Sequence, residues 1–251
     1  MTSSPLSPAA KDLPASRWQA WRRFFAFAAS LALCLGCQSS DAASTVGAEP
    51  ATPVAEVAND ARPEPFDAET ATEAEAIVAV LEPEPEMRVA DVGAGDGEWS
   101  EVLAEAVGEA GEVFVTEVDE DDLEELRALA EDAPLGNLRV VTGNATDTGL
   151  PADCCDAILL RLVYHHFTDP EPMRASLRSA LRPGALLAVI DMVPRTDWHV
   201  LEGVPERGGH GISMDDLISE MTGDGFEVVQ RYADWPEDPD HYCVVFRAIE
   251  R

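Results

Sequence analysis

From residue 67 onward the apolar positions follow two alternating rhythms. Short dense runs occupy 87–92, 112–118, 138–142, 157–162 and 185–191. Runs of that length, rich in Val, Ile, Leu and Phe, predict buried strands. Between them apolar residues recur at intervals of three and four: Ala71, Ala74, Ile77, Val78 and Leu81, then Trp99, Val102, Leu103, Ala106 and Val107, then Leu123, Leu126 and Leu129. That spacing lines one face of a helix. Helices are therefore predicted over 67–81, after the turn at 93–97, over 120–131 and over 171–182. Pro83 and Pro85 stop the first, because proline lacks the backbone N–H that a helix interior needs. Gly108 and Gly111 close the second, and Arg182-Pro183-Gly184 reads as a turn into the fifth strand. Strand–helix alternation with short connections predicts an α/β domain, a parallel sheet covered on both faces. Ligands of such sheets sit beyond the carboxyl ends of the strands.

The last third changes character. A long loop over 192–212 carries Trp198, His199, Gly208, Gly209 and His210. A helix is predicted over 213–222, with Ser213 as its N-cap. Strands are predicted from 225 and over 242–248, separated by Asp234-Trp235-Pro236-Glu237-Asp238-Pro239, and an antiparallel pair is expected to close the sheet. Trp198, His199 and Trp235 are either walls of an acceptor pocket or loop anchors.

The stretch Val89-Ala90-Asp91-Val92-Gly93-Ala94-Gly95-Asp96-Gly97 organises the rest. A strand runs into a glycine turn that opens a helix. Such a turn lets backbone approach a ligand, and the helix start offers free N–H groups. The spacing is G-x-G-x-G, out of step with the G-x-G-x-x-G that seats a pyrophosphate. Asp91 and Asp96 would also repel one. They suit a ligand that carries a cation, and S-adenosylmethionine has an ammonium, a sulfonium and a single carboxylate. Glu117 lies near the end of the second strand, some 20 residues after the turn. An acid there suits the two hydroxyls of a ribose.

Charge narrows the partners. The 251 residues hold 48 acidic and 17 basic side chains, a formal net charge of −31. That balance disfavours a nucleic acid backbone, where basic groups must replace counterions, and favours a small or cationic partner. Five cysteines are present, and Cys34 and Cys37 fall in an apolar leader with no second pair to complete a zinc site. No metal is expected. Cys154 and Cys155 precede the fourth strand; one is expected to pack inward and the other to be exposed, with a vicinal disulfide as the alternative.

Residues 1–36 have the form of an export signal: a basic stretch through Arg22 and Arg23, then about 13 apolar residues. This is short for a membrane span. Leu33-Cys34-Leu35-Gly36-Cys37 resembles a bacterial lipoprotein cleavage site, which implies a lipidated Cys37 as the mature N-terminus and an exported, membrane-anchored protein. An uncleaved, cytoplasm-facing anchor is the alternative. Residues 37–66, rich in Ala, Pro and Glu, read as a flexible linker, and 67–251 as the folded domain.

The domain resembles the class I S-adenosylmethionine-dependent methyltransferases over about residues 70–250. The glycine turn looks like their first motif and Val113 to Asp119 like their second. Gly143-Asn144-Ala145 with Leu150-Pro151 looks like their adenine-contacting segment, and Leu181-Arg182-Pro183-Gly184 like the turn before their fifth strand. Asn144 stands where Asp is commoner. The resemblance implies a Rossmann-like, doubly wound seven-stranded sheet, mostly parallel with strand seven antiparallel. It implies cofactor contacts from Asp91, Gly93, Ala94, Gly95, Gly97, Glu117, Val118, Asn144, Ala145 and Arg161.

Tyr164-His165-His166-Phe167 follows strand four on the methyl-donor side in that family. A histidine there can take a proton from an acceptor. His165, His166 and His210 are the candidate bases, with a structural or donor-positioning role as the alternative. The expected activity is methyl transfer to a small molecule or a protein carboxylate. The alternatives are a ligand-binding module on the same fold without transfer chemistry, and a tethered interaction domain. Export and activity pull against each other, because S-adenosylmethionine is made in the cytoplasm.

Overall fold

A computed structural model describes residues 65–249. The expected leader, Cys37 and all but the end of the linker lie outside them. Among the described residues no helix is long and apolar enough to cross a membrane.

The chain alternates as its pattern predicts. The elements are α1 (Glu73–Leu81), β1 (Arg88–Val92), α2 (Glu98–Val107), β2 (Glu112–Glu117), α3 (Glu120–Asp132), β3 (Leu138–Thr142) and β4 (Cys155–Arg161). A single 3₁₀ turn, Tyr164–His166, leads to α4 (Pro170–Ala180), β5 (Leu181–Met192), α5 (Met214–Gly223), β6 (Phe226–Tyr232) and β7 (His241–Ala248). The seven strands form one sheet in the order β3-β2-β1-β4-β5-β7-β6. β1 to β5 run parallel, and β7 is antiparallel to both β5 and β6. This is the expected doubly wound, Rossmann-like sheet with strand seven reversed.

Strand periodicity divides the core in two. Val89, Val113, Val115, Ala157, Leu159, Ala188 and Ile190 point to one face, where α1, α2 and α3 cover them with Ile77, Leu103, Val107 and Leu126. Ala90, Phe114, Ile158, Leu160, Leu187 and Val189 point to the other, under Met173 and Leu177 of α4 and Leu217 and Met221 of α5. Successive strand residues face opposite sides, so dense apolar runs are the form a doubly covered strand must take.

Three expectations need correction. The first helix begins at Glu73, not at 67, because Thr72 caps it: its hydroxyl accepts from the Glu75 N–H while the Glu75 carboxylate accepts from the Thr72 N–H. Such a reciprocal box fixes a helix start. Arg182-Pro183-Gly184 lies inside β5, whose Leu181 pairs with Cys155 across a register irregularity before regular pairing resumes at Ala157 and Leu186. Cys154 and Cys155 are both buried and joined as a disulfide between adjacent residues, so neither is the exposed partner.

The centre of the sheet should hold more of the stability than its β3 edge. Ile158 is fully buried in β4, while β3 is only partly covered. Ile158→Ala is expected to cost about 2–5 kcal/mol and Val140→Ala about 1 kcal/mol. Urea midpoints at unchanged slope would check the ratio; equal losses would contradict the gradient.

Candidate active site

Strand order reverses between β1 and β4, and the loops after these two strands meet there. A Cβ on Gly93 would lie 2.4 Å from Cγ2 of Val163. Gly97 is packed as tightly, against Leu129 of α3, with 2.4 Å to its Cδ2. Gly95 differs: a Cβ there would meet nothing within 4 Å. Two glycines thus serve the protein's own packing, and the middle one leaves its backbone open to a ligand.

The turn is tied to the end of β2. The Gly93 and Ala94 N–H groups donate to the Thr116 carbonyl at 3.0 and 3.1 Å. The Gly95 N–H donates to Oε1 of Glu117 at 3.1 Å, and the Val118 N–H to Oε2 at 2.8 Å. Glu117, the residue expected to meet a ribose, therefore stands beside the open glycine. Val118 follows it as an exposed apolar side chain, 62 % accessible and suited to the face of a base. The segment after β3 joins here through the Gly143 N–H, which donates to the Glu117 carbonyl at 2.8 Å. Asn144 and Ala145 are exposed, and the Asn144 side-chain oxygen closes its own turn onto Thr146.

Asp91 lies on the α1–α3 face of the sheet, 1 % exposed, and accepts from the Ser100 hydroxyl at 2.7 Å. Burial pushes its carboxyl up to about 6, with Glu117 and Asp96 adding to the rise and Ser100 and Arg161 opposing it. Arg161, at the carboxyl end of β4, stacks over Trp99 and donates from Nε and a terminal nitrogen to the buried carboxylate of Glu73 at 3.0 and 2.8 Å. The Trp235 indole donates to the same carboxylate at 2.9 Å. Trp235 is thus a buried loop anchor, whereas Trp198 is half exposed with its ring 5.5 Å from that of His210.

The three candidate histidines converge beyond β4 and β5. His165 is buried; its Nδ1 lies 2.7 Å from Oδ1 of Asp191, and its Nε2 lies 3.1 Å from Nε2 of His210. Asp191, fully buried near the end of β5, also accepts from the backbone N–H groups of His165 and Met192. The His210 Nδ1 lies 2.8 Å from the His199 carbonyl. His210 is aimed from its loop by a two-way backbone pairing with Arg195. Gly211 beside it has φ +117°, and a Cβ there would lie 2.7 Å from the Met192 carbonyl. The Nε2 of His166 is buried without a hydrogen-bond partner. Burial, with His165 and His210 alongside, lowers its imidazole to about 4.

The sequence reading missed four supports. Asp191 orients His165, and its signal was an acid closing an apolar run. Glu73 holds Arg161, and Ser100 meets Asp91. Glu220 of α5 gathers Tyr164, Arg174 and Arg207, and thereby ties the 193–212 loop to the 3₁₀ turn. These contacts span 9 to 88 residues of sequence, beyond any local pattern.

Residues 89–184 match the family model described as "Methyltransferase domain". The matched stretch runs from the glycine turn through the histidine pair to the start of β5. Over 108 residues the chain is 30 % identical to ubiquinone/menaquinone biosynthesis C-methyltransferase UbiE of Vibrio vulnificus, covering 43 % of this chain and 42 % of that protein. Over 103 residues it is 29 % identical to a demethylmenaquinone methyltransferase of Listeria welshimeri, covering 41 % and 44 %. The chain thus spans less than half the length of these curated relatives. A crystal structure of a SAM-dependent methyltransferase from Aquifex aeolicus superposes with a TM-score of 0.59 at 21 % identity, over 70 % of this chain and 89 % of that one. Domain match and fold agree with the expectation of an S-adenosylmethionine-dependent methyltransferase.

A buried carboxyl raised to about 6 favours its protonated form in the folded state. Its contribution to stability is complete below pH 4 and is lost as pH rises through 6. Asp91→Asn removes that dependence. The variant is expected to be more stable than the wild type by about 3 kcal/mol above pH 6, with the difference vanishing toward pH 4. Denaturant melts across that window check it, and a pH-independent difference would contradict it.

Proposed function

We propose that this domain transfers a methyl group from S-adenosylmethionine to an acceptor held on the histidine side of the cleft, a small molecule or a protein carboxylate. The observation that carries this reading is the junction of Asp91, open Gly95 and Glu117 at the strand-order reversal. A carboxylate kept buried where ionisation costs stability suits a site that receives a cation. The open backbone at Gly95 suits a ligand that must come close.

When bound, S-adenosylmethionine supplies an electrophilic methyl group on a sulfonium. Glu117 would hold the ribose hydroxyls, exchanging its bond from Gly95 for bonds from the ligand. Val118, with the exposed segment at Asn144 and Ala145, would flank the adenine. Asp91 and the Arg161–Glu73 pair set the charge around the methionine end: an anion for the ammonium, and a guanidinium for the carboxylate. Alignment of donor and acceptor supplies most of the rate in such a displacement. The Glu220 network fixes the loop that carries His210, and so the acceptor side. A ligand-binding module without chemistry is not favoured, because the matched domain is a methyltransferase domain.

The localisation belongs to the same proposal. The basic and apolar leader over 1–36, followed by Cys37, supports export and lipid attachment, and an active protein there would need the methyl donor delivered to it.

Calorimetric titration of S-adenosylmethionine and S-adenosylhomocysteine into the full chain tests the cofactor site. Micromolar binding is expected, weakened at least tenfold, or about 1.4 kcal/mol, in Asp91→Ala and in Glu117→Ala. Affinity for S-adenosylmethionine should rise with pH through about 6 as Asp91 ionises, then level. Demethylmenaquinone, from the relatives' names, is the first acceptor to try. No binding by folded wild type would overturn the proposal.

A further inference from the structure

The hydrogen bonds around His165 and His210 leave a chemical problem at their centre. A carboxylate accepts and cannot donate, so the Nδ1 of His165 carries the proton that bridges to Asp191. A carbonyl likewise only accepts, so the Nδ1 of His210 carries the proton that bridges to the His199 oxygen. With one proton on each ring, both Nε2 atoms are then bare lone pairs. Yet these two nitrogens face each other at 3.1 Å. Two acceptors do not hold that distance without a cation between them. A third ring nitrogen is at hand, since Nε2 of His166 is buried and unpartnered. The ligand atoms of all three rings lie within 4.8 Å of one another.

We propose that His165, His166 and His210 bind a divalent first-row metal ion of the zinc type through their Nε2 atoms. A shared proton would answer only the facing pair and leave His166 unmet; one metal ion answers all three. Imidazole nitrogen suits zinc, copper, iron and nickel. Tetrahedral ligand nitrogens stand roughly 3.4 Å apart for bonds of ~2.1 Å, so the pair is already at metal-binding distance and the third ring closes by about 1 Å. Asp191 supplies the orienting carboxylate that a ligating histidine commonly has behind it, and the His199 carbonyl does the same for His210. The chain's formal net charge of −31 favours cation capture. Spacing could not reveal this site, because two ligands are adjacent and the third lies in a loop 45 residues from His165.

Three neutral nitrogens leave a fourth position open. Resting on the methyl-transfer proposal, that position is where an acceptor hydroxyl, phenolic or enolic, would coordinate. Metal binding itself does not depend on that proposal.

The test is titration of Co²⁺ into the full chain after chelator treatment, read by the visible bands of a tetrahedral nitrogen site, with displacement by Zn²⁺. One equivalent is expected in the wild type. His166→Asn and His210→Asn should each weaken Co²⁺ binding at least tenfold, and Asp191→Asn by about tenfold, with circular dichroism reporting the fold. His210 sits on a partly exposed loop, so its variant stays interpretable if Asp191→Asn unfolds. Absence of visible bands in the folded wild type overturns the site. So does Co²⁺ binding that is equal in the wild type and in a folded His210→Asn variant, which would place the ion on the acidic surface. S-adenosylmethionine binding in the metal-free protein reads the cofactor site separately, so failure of one leaves the other standing.

Discussion

The approach of the loops after β1 and β4 is the constraint on which the site depends. With no room for a Cβ at position 93, Val163 sits directly on the glycine turn. That contact continues, beyond the strand ends, the register that the β1–β4 pairing sets between the two halves. On one side stand Asp91, Gly95 and Glu117; on the other, two residues past Val163, begins the histidine cluster. Packed interiors transmit such positioning because they yield little.

Buried charge is concentrated around this junction and is met by partners. Asp91 has Ser100, Asp191 has His165 and two backbone N–H groups, and Glu73 has Arg161 and Trp235. Each ion removed from water without such bonds would cost several kcal/mol. Of the three, Asp91 is the least well served, with one hydroxyl and unfavourable neighbours. Glu73, with a bidentate guanidinium and an indole N–H, has the profile of a structural clamp.

Strand positions and the two-sided core were legible because dense apolar runs and helical spacing are local signals. The glycine turn and Glu117 were legible for the same reason: both are set by distance along the chain. What stayed hidden was set by distance across the fold. Asp191 was visible only as the end of a strand, and nothing in its neighbours foretold that it would meet a histidine 26 residues earlier. The start of α1 was misplaced because apolar spacing ran on past a cap that only the Thr72 and Glu75 pair encodes. Cys154 and Cys155 were misjudged because strand alternation, which would expose one of two neighbours, does not govern the irregular entry to β4.

The parity of the strands carries one more consequence. Asp91 and Arg161 alternate with Val89 and Leu159, and so belong to the face covered by α1, α2 and α3. Asp191 alternates with Val189 and belongs to the opposite face, with Tyr164, Ile212 and Met221. The two halves of the cleft are founded on separate hydrophobic layers that meet only at the sheet's rim. Residues of α5 and the 193–212 loop can therefore drift, and the chemistry they present can be exchanged, while the layer beneath the other half remains intact. The molecule is built as a fixed receptacle with a replaceable counterpart.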